Sequence, residues 1–353
     1  GPMPDDGQVR AYCKRLTDRA DKRQLWRMGR AFLAAVDAGR ADDRPGLVAK
    51  LQSAVFDYER TKRLIPDVRT EAEMLDAFAL DLTTAAPSYA TGFPHLDKII
   101  NGLSPGRLVV IAGPPSAGKT TFVKQLADQV AALKDGPMVV FFTYEQSADD
   151  IRLKTLARLS QADNEKLRAG ENHLALRQAI ERYKRFGHRM KVVEGDRQHT
   201  VGAIHLAAQR ERQRDGRPPV IIVDYLQAMP VHDPALQDRR LQIDAIVGDL
   251  RRIARETGAT IIAVSSMARS AYDQAKMDAF KESGGIEYGA DVAAILTVER
   301  EDDDTGKTRA VALVVLKNRH GRRGIVDLTY QMPFDKFTST GSRFTSYTEA
   351  VKK

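Results

Sequence analysis

With 353 residues and 42% hydrophobic side chains, the chain is long enough for one large domain and a smaller one. Its single cysteine, Cys13, excludes an intrachain disulfide and suits a reducing, cytoplasmic setting, and no apolar run reaches the length of a bilayer span. A formal net charge of +8 favours a polyanionic partner, although charge alone names no function. Gly1-Pro2 ahead of Met3 reads as a tag remnant, and no signal-peptide pattern follows it.

The first ninety residues read as helical. Between 9 and 36, Trp26, Met28, Phe32, Leu33 and Val36 form an apolar face among many Arg and Lys. After a polar break at Gly39 to Pro45, Leu47, Leu51, Val55 and Tyr58 give a second stripe over 46–62. Residues 1–66 are therefore expected to be a small all-α helical hairpin. A third helix over 67–82 is aligned by Ala72, Leu75, Ala79 and Leu82, and 67–90 is expected to be a linker helix followed by a linker. From Thr91 the pattern changes to apolar strands alternating with helices, with strands expected at 108–112, 138–143, 190–193, 219–223, 259–265, 293–298, 310–316 and 325–330. That alternation predicts an α/β domain over 91–345 with a mainly parallel sheet flanked by helices, leaving 346–353 as a tail. The short, charged turn Glu301 to Gly306 predicts that the late strands pair as hairpins.

The densest chemistry lies at Gly113-Pro114-Pro115-Ser116-Ala117-Gly118-Lys119-Thr120, which fits G-x-x-x-x-G-K-[ST] between a predicted strand and a helix opening at Thr121. Backbone N–H groups at a helix N-terminus make a nest for phosphate, and Gly118 admits a close approach. Lys119 suits the β- and γ-phosphates and the Thr120 hydroxyl suits Mg²⁺, so the ligand is ATP or GTP. Val220 to Asp224 is an apolar strand ending in a carboxylate, placed to hold Mg²⁺ beside that loop. Glu145 follows the strand Val139 to Thr143, where it either orients the attacking water or complements a helix dipole. Lys317 and Arg319 end a strand on one face, as cations for a developing phosphoryl charge or as a solvated strand tip.

Taken in order, these segments resemble the ATPase domain of DnaB-type hexameric replicative helicases, from Thr91 to about Thr338. The resemblance rests on the lead-in Thr91-Gly92-Phe93-Pro94-His95-Leu96-Asp97 with Gly102-Leu103, Pro115 to Thr120, Phe142-Thr143-Tyr144-Glu145, Asp224-Tyr225-Leu226-Gln227, Lys281-Glu282-Ser283-Gly284-Gly285-Ile286-Glu287 with Ala290-Asp291, and Lys317-Asn318-Arg319 with Gly321. It implies a RecA-like fold, a homo-hexameric ring, ATP with Mg²⁺, single-stranded DNA through the ring, and a primase or loader as further partners. It also implies that Glu145 is the water-orienting base and that Lys317 and Arg319 act in trans. In the family the loop at 281–287 grips the strand. A motor that must tolerate any sequence reads phosphates with Lys281 and the Gly284-Gly285 backbone, while Glu282 orders the loop. Arg239 and Arg240 are a second place for DNA contacts. Two departures stand out. Ser265-Ser266-Met267-Ala268-Arg269 replaces the usual Ser-Gln-Leu-Asn-Arg, so Ser266 stands where a longer sensor of the γ-phosphate is expected. The globular helical head that precedes the hairpin in full-length relatives is expected to be absent. Competing readings are a RecA- or RadA-like recombination or annealing ATPase, against which Asp224 to Gln227 and the Lys-x-Arg-x-Gly segment argue, and a nucleotide-gated DNA-binding scaffold.

Overall fold

The computed structural model describes residues 88–231, 236–267, 284–301 and 307–344, with isolated positions between 22 and 79. The predicted hairpin lies outside the described residues apart from scattered helical positions such as Trp26 and Arg30. Within the predicted linker helix, Glu71, Ala72, Met74, Leu75 and Ala79 are helical. The chain divides into two compact units, residues 1–85 with 198–203, and residues 86–197 with 204–353. The second holds the sheet.

In chain order the elements are α1 (Pro94–Ile100), β1 (Leu108–Gly113), α2 (Lys119–Ala131), β2 (Val139–Thr143), α3 (Ala148–Ser160), α4 (Asn164–Arg168), α5 (His173–Gly187), β3 (Met190–Glu194) and α6 (Val201–Asp215). There follow β4 (Val220–Asp224), α7 (Arg239–Thr257), β5 (Thr260–Ser266), α8 (Gly284–Gly289), β6 (Val292–Glu301), β7 (Thr308–Asn318), β8 (Gly324–Gln331) and β9 (Lys336–Phe344). Single 3₁₀ turns lie at Leu226–Ala228 and Met332–Phe334. They build one nine-stranded sheet in the order β3-β2-β4-β5-β1-β6-β7-β8-β9. Pairing is parallel from β3 through β6 and antiparallel from β6 to β9.

Composition explains that division. β1, β2 and β4 are buried at every residue, the continuous apolar runs of strands covered on both faces. β8 alternates buried and half-buried residues, as a strand with one solvated face does. All eight predicted strands are present, and the late ones pair as hairpins. The ninth, β9, has no counterpart among the predicted strands; its Ser- and Thr-rich KFTSTGSRF has weak apolar alternation and forms by pairing with β8.

The core on one sheet face is anchored by aromatic rings. Phe93 stacks on Phe122 at 4.9 Å, Phe337 meets Phe122 edge-on at 5.5 Å, and Tyr330 stacks on Phe337 at 4.2 Å. Burying each such ring contributes about 2–3 kcal/mol. α3 is fixed to α2 by a buried polar cluster. Lys124, fully buried, donates to Asp128 and to Thr155 Oγ1 (2.6 Å), while Arg158 also donates to Asp128. Burial pulls the Lys124 ammonium down to about 8, partly offset by Asp128. Ser147 caps α3 by accepting from the Asp150 N–H, with Asp149 and Asp150 in its first turn. That cap sets where α3 starts, and therefore where Glu145, two residues earlier, stands.

Candidate nucleotide site

The phosphate loop joins β1 to α2, as predicted. Gly118 is the N-cap of α2 at φ +86°, and Ser116 is also left-handed at φ +62°. A Cβ on Gly118 would lie 2.8 Å from Phe337 Cζ and 2.9 Å from Tyr330 Cε1. One on Gly113 would lie 2.6 Å from the Leu296 carbonyl. Glycine at 118 is thus required both by φ and by the aromatic floor beneath the loop. Lys119 Nζ donates to the carbonyls of Gly113 (2.9 Å) and Pro114 (2.8 Å), which curls it over the loop. Burial lowers its pKa, and the nearby charges of Asp224 and Glu145 oppose that.

Asp224 ends β4 and is 2% exposed. Burial raises its carboxyl to about 6; a hydrogen bond from Thr120 and the charges of Lys119 and Lys154 pull the other way, while Glu145 adds to the rise. Its Oδ2 is buried without a hydrogen-bond partner. A carboxylate oxygen left over beside the Thr120 hydroxyl fits a divalent cation. Glu145 is exposed, beyond the end of β2, near enough to perturb both Lys119 and Asp224. The structure therefore groups Lys119, Thr120, Asp224 and Glu145 at the carboxyl ends of β1, β4 and β2, the usual ligand position in such sheets.

Ser266 closes β5, in register with Gly113. Its N–H donates to Gln227 Oε1 (3.1 Å), and Gln227 Nε2 donates to Ser265 Oγ (2.9 Å). Gln227 thereby ties the segment after Asp224 to the strand beside the loop. Four other residues here carry no local sequence signal. Arg309 donates to the Ser116 carbonyl (3.1 Å), and Tyr330 and Phe337 lie under Gly118. Asp335 accepts from Thr121 Oγ1 (3.0 Å) and pairs with Lys154 at 3.3 Å. Arg309, Tyr330 and Phe337 reach the loop from the late strands, and Asp335, between β8 and β9, reaches the first turn of α2, all from a long way along the sequence.

Lys317 and Arg319 lie elsewhere. Along the sheet, Val110 is level with Ala293 and Lys317, and Val109 with Val292 and Asn318. At about 3.3 Å per residue, Lys317 is roughly 10 Å short of Gly113 along β1. Lys317 is level with the middle of β1 and Arg319 with its beginning, whereas the phosphate loop sits where it ends. Lys281 and Glu282 lie outside the described residues. Gly285 is described, and its N–H donates to Asp244 Oδ1 at 2.7 Å. Arg239 opens α7 and donates to the carbonyls of Gln227 and Met229, which braces the segment after Asp224; Arg240 beside it is exposed.

Comparison with known proteins agrees with this architecture. Residues 89–339 match the model of the DnaB-like helicase C-terminal domain. "Replicative DNA helicase DnaB" of Haemophilus influenzae is 26% identical over 352 residues, 95% of this chain and 75% of that protein. The protein of the same name from Pasteurella multocida is 31% identical over 262 residues, 70% of this chain and 54% of its own length. "Replicative DNA helicase DnaC" of Bacillus subtilis is 26% identical over 360 residues, 97% of this chain and 77% of that protein. Among solved structures, an isolated ATPase domain superposes with a TM-score of 0.67 at 22% identity, covering 78% of this chain and 100% of that one. A DnaB-like replicative helicase described with its interactions with primase gives 0.66 at 18% identity, covering 95% and 80%. These last two establish the fold. With the family model matching residues 89–339, the chain belongs to the DnaB-like helicase C-terminal domain family.

Proposed function

We propose that this chain is the ATP-hydrolysing motor of a replicative DNA helicase, a homo-hexameric ring that moves along single-stranded DNA. The observation that carries the reading is the separation of the phosphate loop from Lys317 and Arg319. With Lys317 roughly 10 Å short of Gly113 and both cations held by the carbonyls of α8, the two do not reach their own subunit's phosphates and suit a neighbour's. Lys119 and the loop N–H groups bind the nucleotide phosphates, Thr120 and Asp224 hold Mg²⁺, and Glu145 orients the attacking water. Mg²⁺ held by Thr120 and Asp224 would supply charge neutralisation for the nucleotide phosphates. A primase or a loader is a further partner, and work at the replication fork places the protein in the cytoplasm; no helix among the described residues is long and apolar enough to cross a membrane.

Unwinding of forked duplexes with tails of either polarity tests the reading. Strand separation that requires hydrolysable ATP and one particular single-stranded tail is the expected result. A preparation that hydrolyses ATP yet opens neither fork would favour the scaffold reading, and filaments in place of rings by electron microscopy would favour the recombination ATPase.

Two variants probe the DNA side. Lys281→Ala is expected to weaken single-strand binding equally for all sequences and to lower the log–log salt slope by about 0.7 for each phosphate no longer neutralised. Titrations at several salt concentrations measure this, and an unchanged slope would move the DNA-binding surface towards Arg240. Ser266→Gln is expected to raise the stimulation of hydrolysis by single-stranded DNA by about fivefold, the lower range of coupling between sites. Hydrolysis with and without DNA decides it, because a stable variant with unchanged stimulation removes Ser266 from the coupling and leaves Gln227 as the link.

A further inference from the structure

Lys317 and Arg319 are held in a specific seat. Lys317 Nζ donates to the Glu287 carbonyl (2.5 Å), and Arg319 Nη2 donates to the Tyr288 carbonyl (3.1 Å). Both acceptors lie at the C-terminal end of α8, where helix carbonyls lack internal partners and attract cations. On the other side Arg319 Nη1 pairs with Asp291 Oδ1 at 3.4 Å, and its own N–H donates to the Asp291 carbonyl at 2.9 Å. Asp291 is 3% exposed, and its Oδ2 accepts from the Leu108 N–H at 3.1 Å. A buried carboxylate tied to the sheet and facing Arg319 is a rigid reference point for that guanidinium. α8 is itself pinned to α7, because the Gly285 N–H donates to Asp244 and a Cβ on Gly285 would fall 2.6 Å from Asp244 Oδ1.

We propose that Asp291 and the C-terminal carbonyls of α8 form a positioning seat for Lys317 and Arg319, so that the helix that carries the Gly284-Gly285 end of the proposed strand-gripping segment also sets the cations presented to the neighbouring subunit. The proposal rests on the trans role assigned above. Asp291 lies beside the start of β1, away from the phosphate loop, and acts through Arg319, with Arg251 at 3.8 Å from the same oxygen. A displacement of α8 on single-strand binding would withdraw its carbonyls from Lys317 and Arg319 while Asp291 stays with the sheet, which gives DNA a direct route to hydrolysis in the next subunit.

Asp291→Asn tests this, because the amide oxygen still accepts from Leu108 while the charge facing Arg319 is removed. The turnover number is expected to fall about ten- to a hundredfold, as for a misplaced catalytic group, with nucleotide affinity and melting temperature close to wild type. In rings mixed with Lys119→Ala subunits, which cannot hydrolyse but carry an intact seat, the Asp291→Asn sites are expected to recover. Arg319→Ala mixed with Lys119→Ala is the control for the trans role. Recovery in the control without recovery of Asp291→Asn would overturn the seat and leave the trans role standing, whereas failure of both would overturn the two together. Asp244→Ala, which releases α8 from α7 without touching Asp291, is expected to show the same reduction and the same recovery. Normal turnover and normal DNA stimulation in that variant would remove α8 from the proposal.

Discussion

Arg319→Ala is expected to lower ATP turnover by about 10³–10⁵, the range in which a supplied arginine stabilises phosphoryl transfer, while leaving nucleotide binding nearly intact. The reason lies in timing. In the proposed trans role, Arg319 meets charge that develops in the transition state of a neighbour's site, so its removal should affect the turnover number more than ground-state affinity. Nucleotide titration alongside steady-state kinetics checks the split. A proportionate drop in affinity would mean that Arg319 contacts nucleotide in the ground state, and unchanged turnover would return it to the status of a solvated strand end. The variant gives up one ion pair to Asp291 and one hydrogen bond to a carbonyl, so unfolding by heat serves as a control on the same sample.

Lys119→Ala is expected to lower turnover by at least about 10²–10³-fold, comparable to removing a principal electrostatic stabiliser, and to weaken nucleotide binding as well. Unlike Arg319, Lys119 sits inside the loop, half-buried, with its ammonium held by the Gly113 and Pro114 carbonyls. Moving from those carbonyls to phosphate exchanges neutral acceptors for charged ones, so the lysine contributes to both ground and transition states. Hydrolysis and nucleotide affinity measured together check it, and near-normal turnover would displace the nucleotide site from this loop. The contrast between the two variants is the sharper test: one is defective in binding and chemistry, the other in chemistry alone.

The nucleotide side of the molecule is legible in the sequence because each element there is local. Gly113 to Thr120 is a contiguous motif, and β4 advertises itself through an unbroken Val220 to Val223 run ahead of Asp224. The floor beneath the loop is not legible in the same way. Phe337, Tyr330 and Arg309 reach the loop from strands laid down far later in the chain, and nothing in the local pattern of KFTSTGSRF marks a strand that supports a phosphate loop. The linking role of Gln227 is hidden for a related reason: its motif is visible, but its partners on β5 depend on tertiary pairing. Arg239 shows the reverse. A pair of arginines opening a helix suggests phosphate contacts, yet the Arg239 guanidinium is engaged by the carbonyls of Gln227 and Met229, and Arg240 next to it keeps an exposed side chain.

The opposite placement of loop and cations along the sheet also has a symmetry consequence. If each subunit offers its loop at one end and its cations at the other, a two-fold dimer would bring like ends together and complete neither site. Only a head-to-tail contact joins unlike ends, and every open chain of such contacts leaves one loop and one cation pair unmatched. Closure is what removes that last deficit. In the proposed ring the same asymmetry gives every interface one direction, so a strand threaded through the middle would meet subunits that all point the same way and could not be read equally from its two ends.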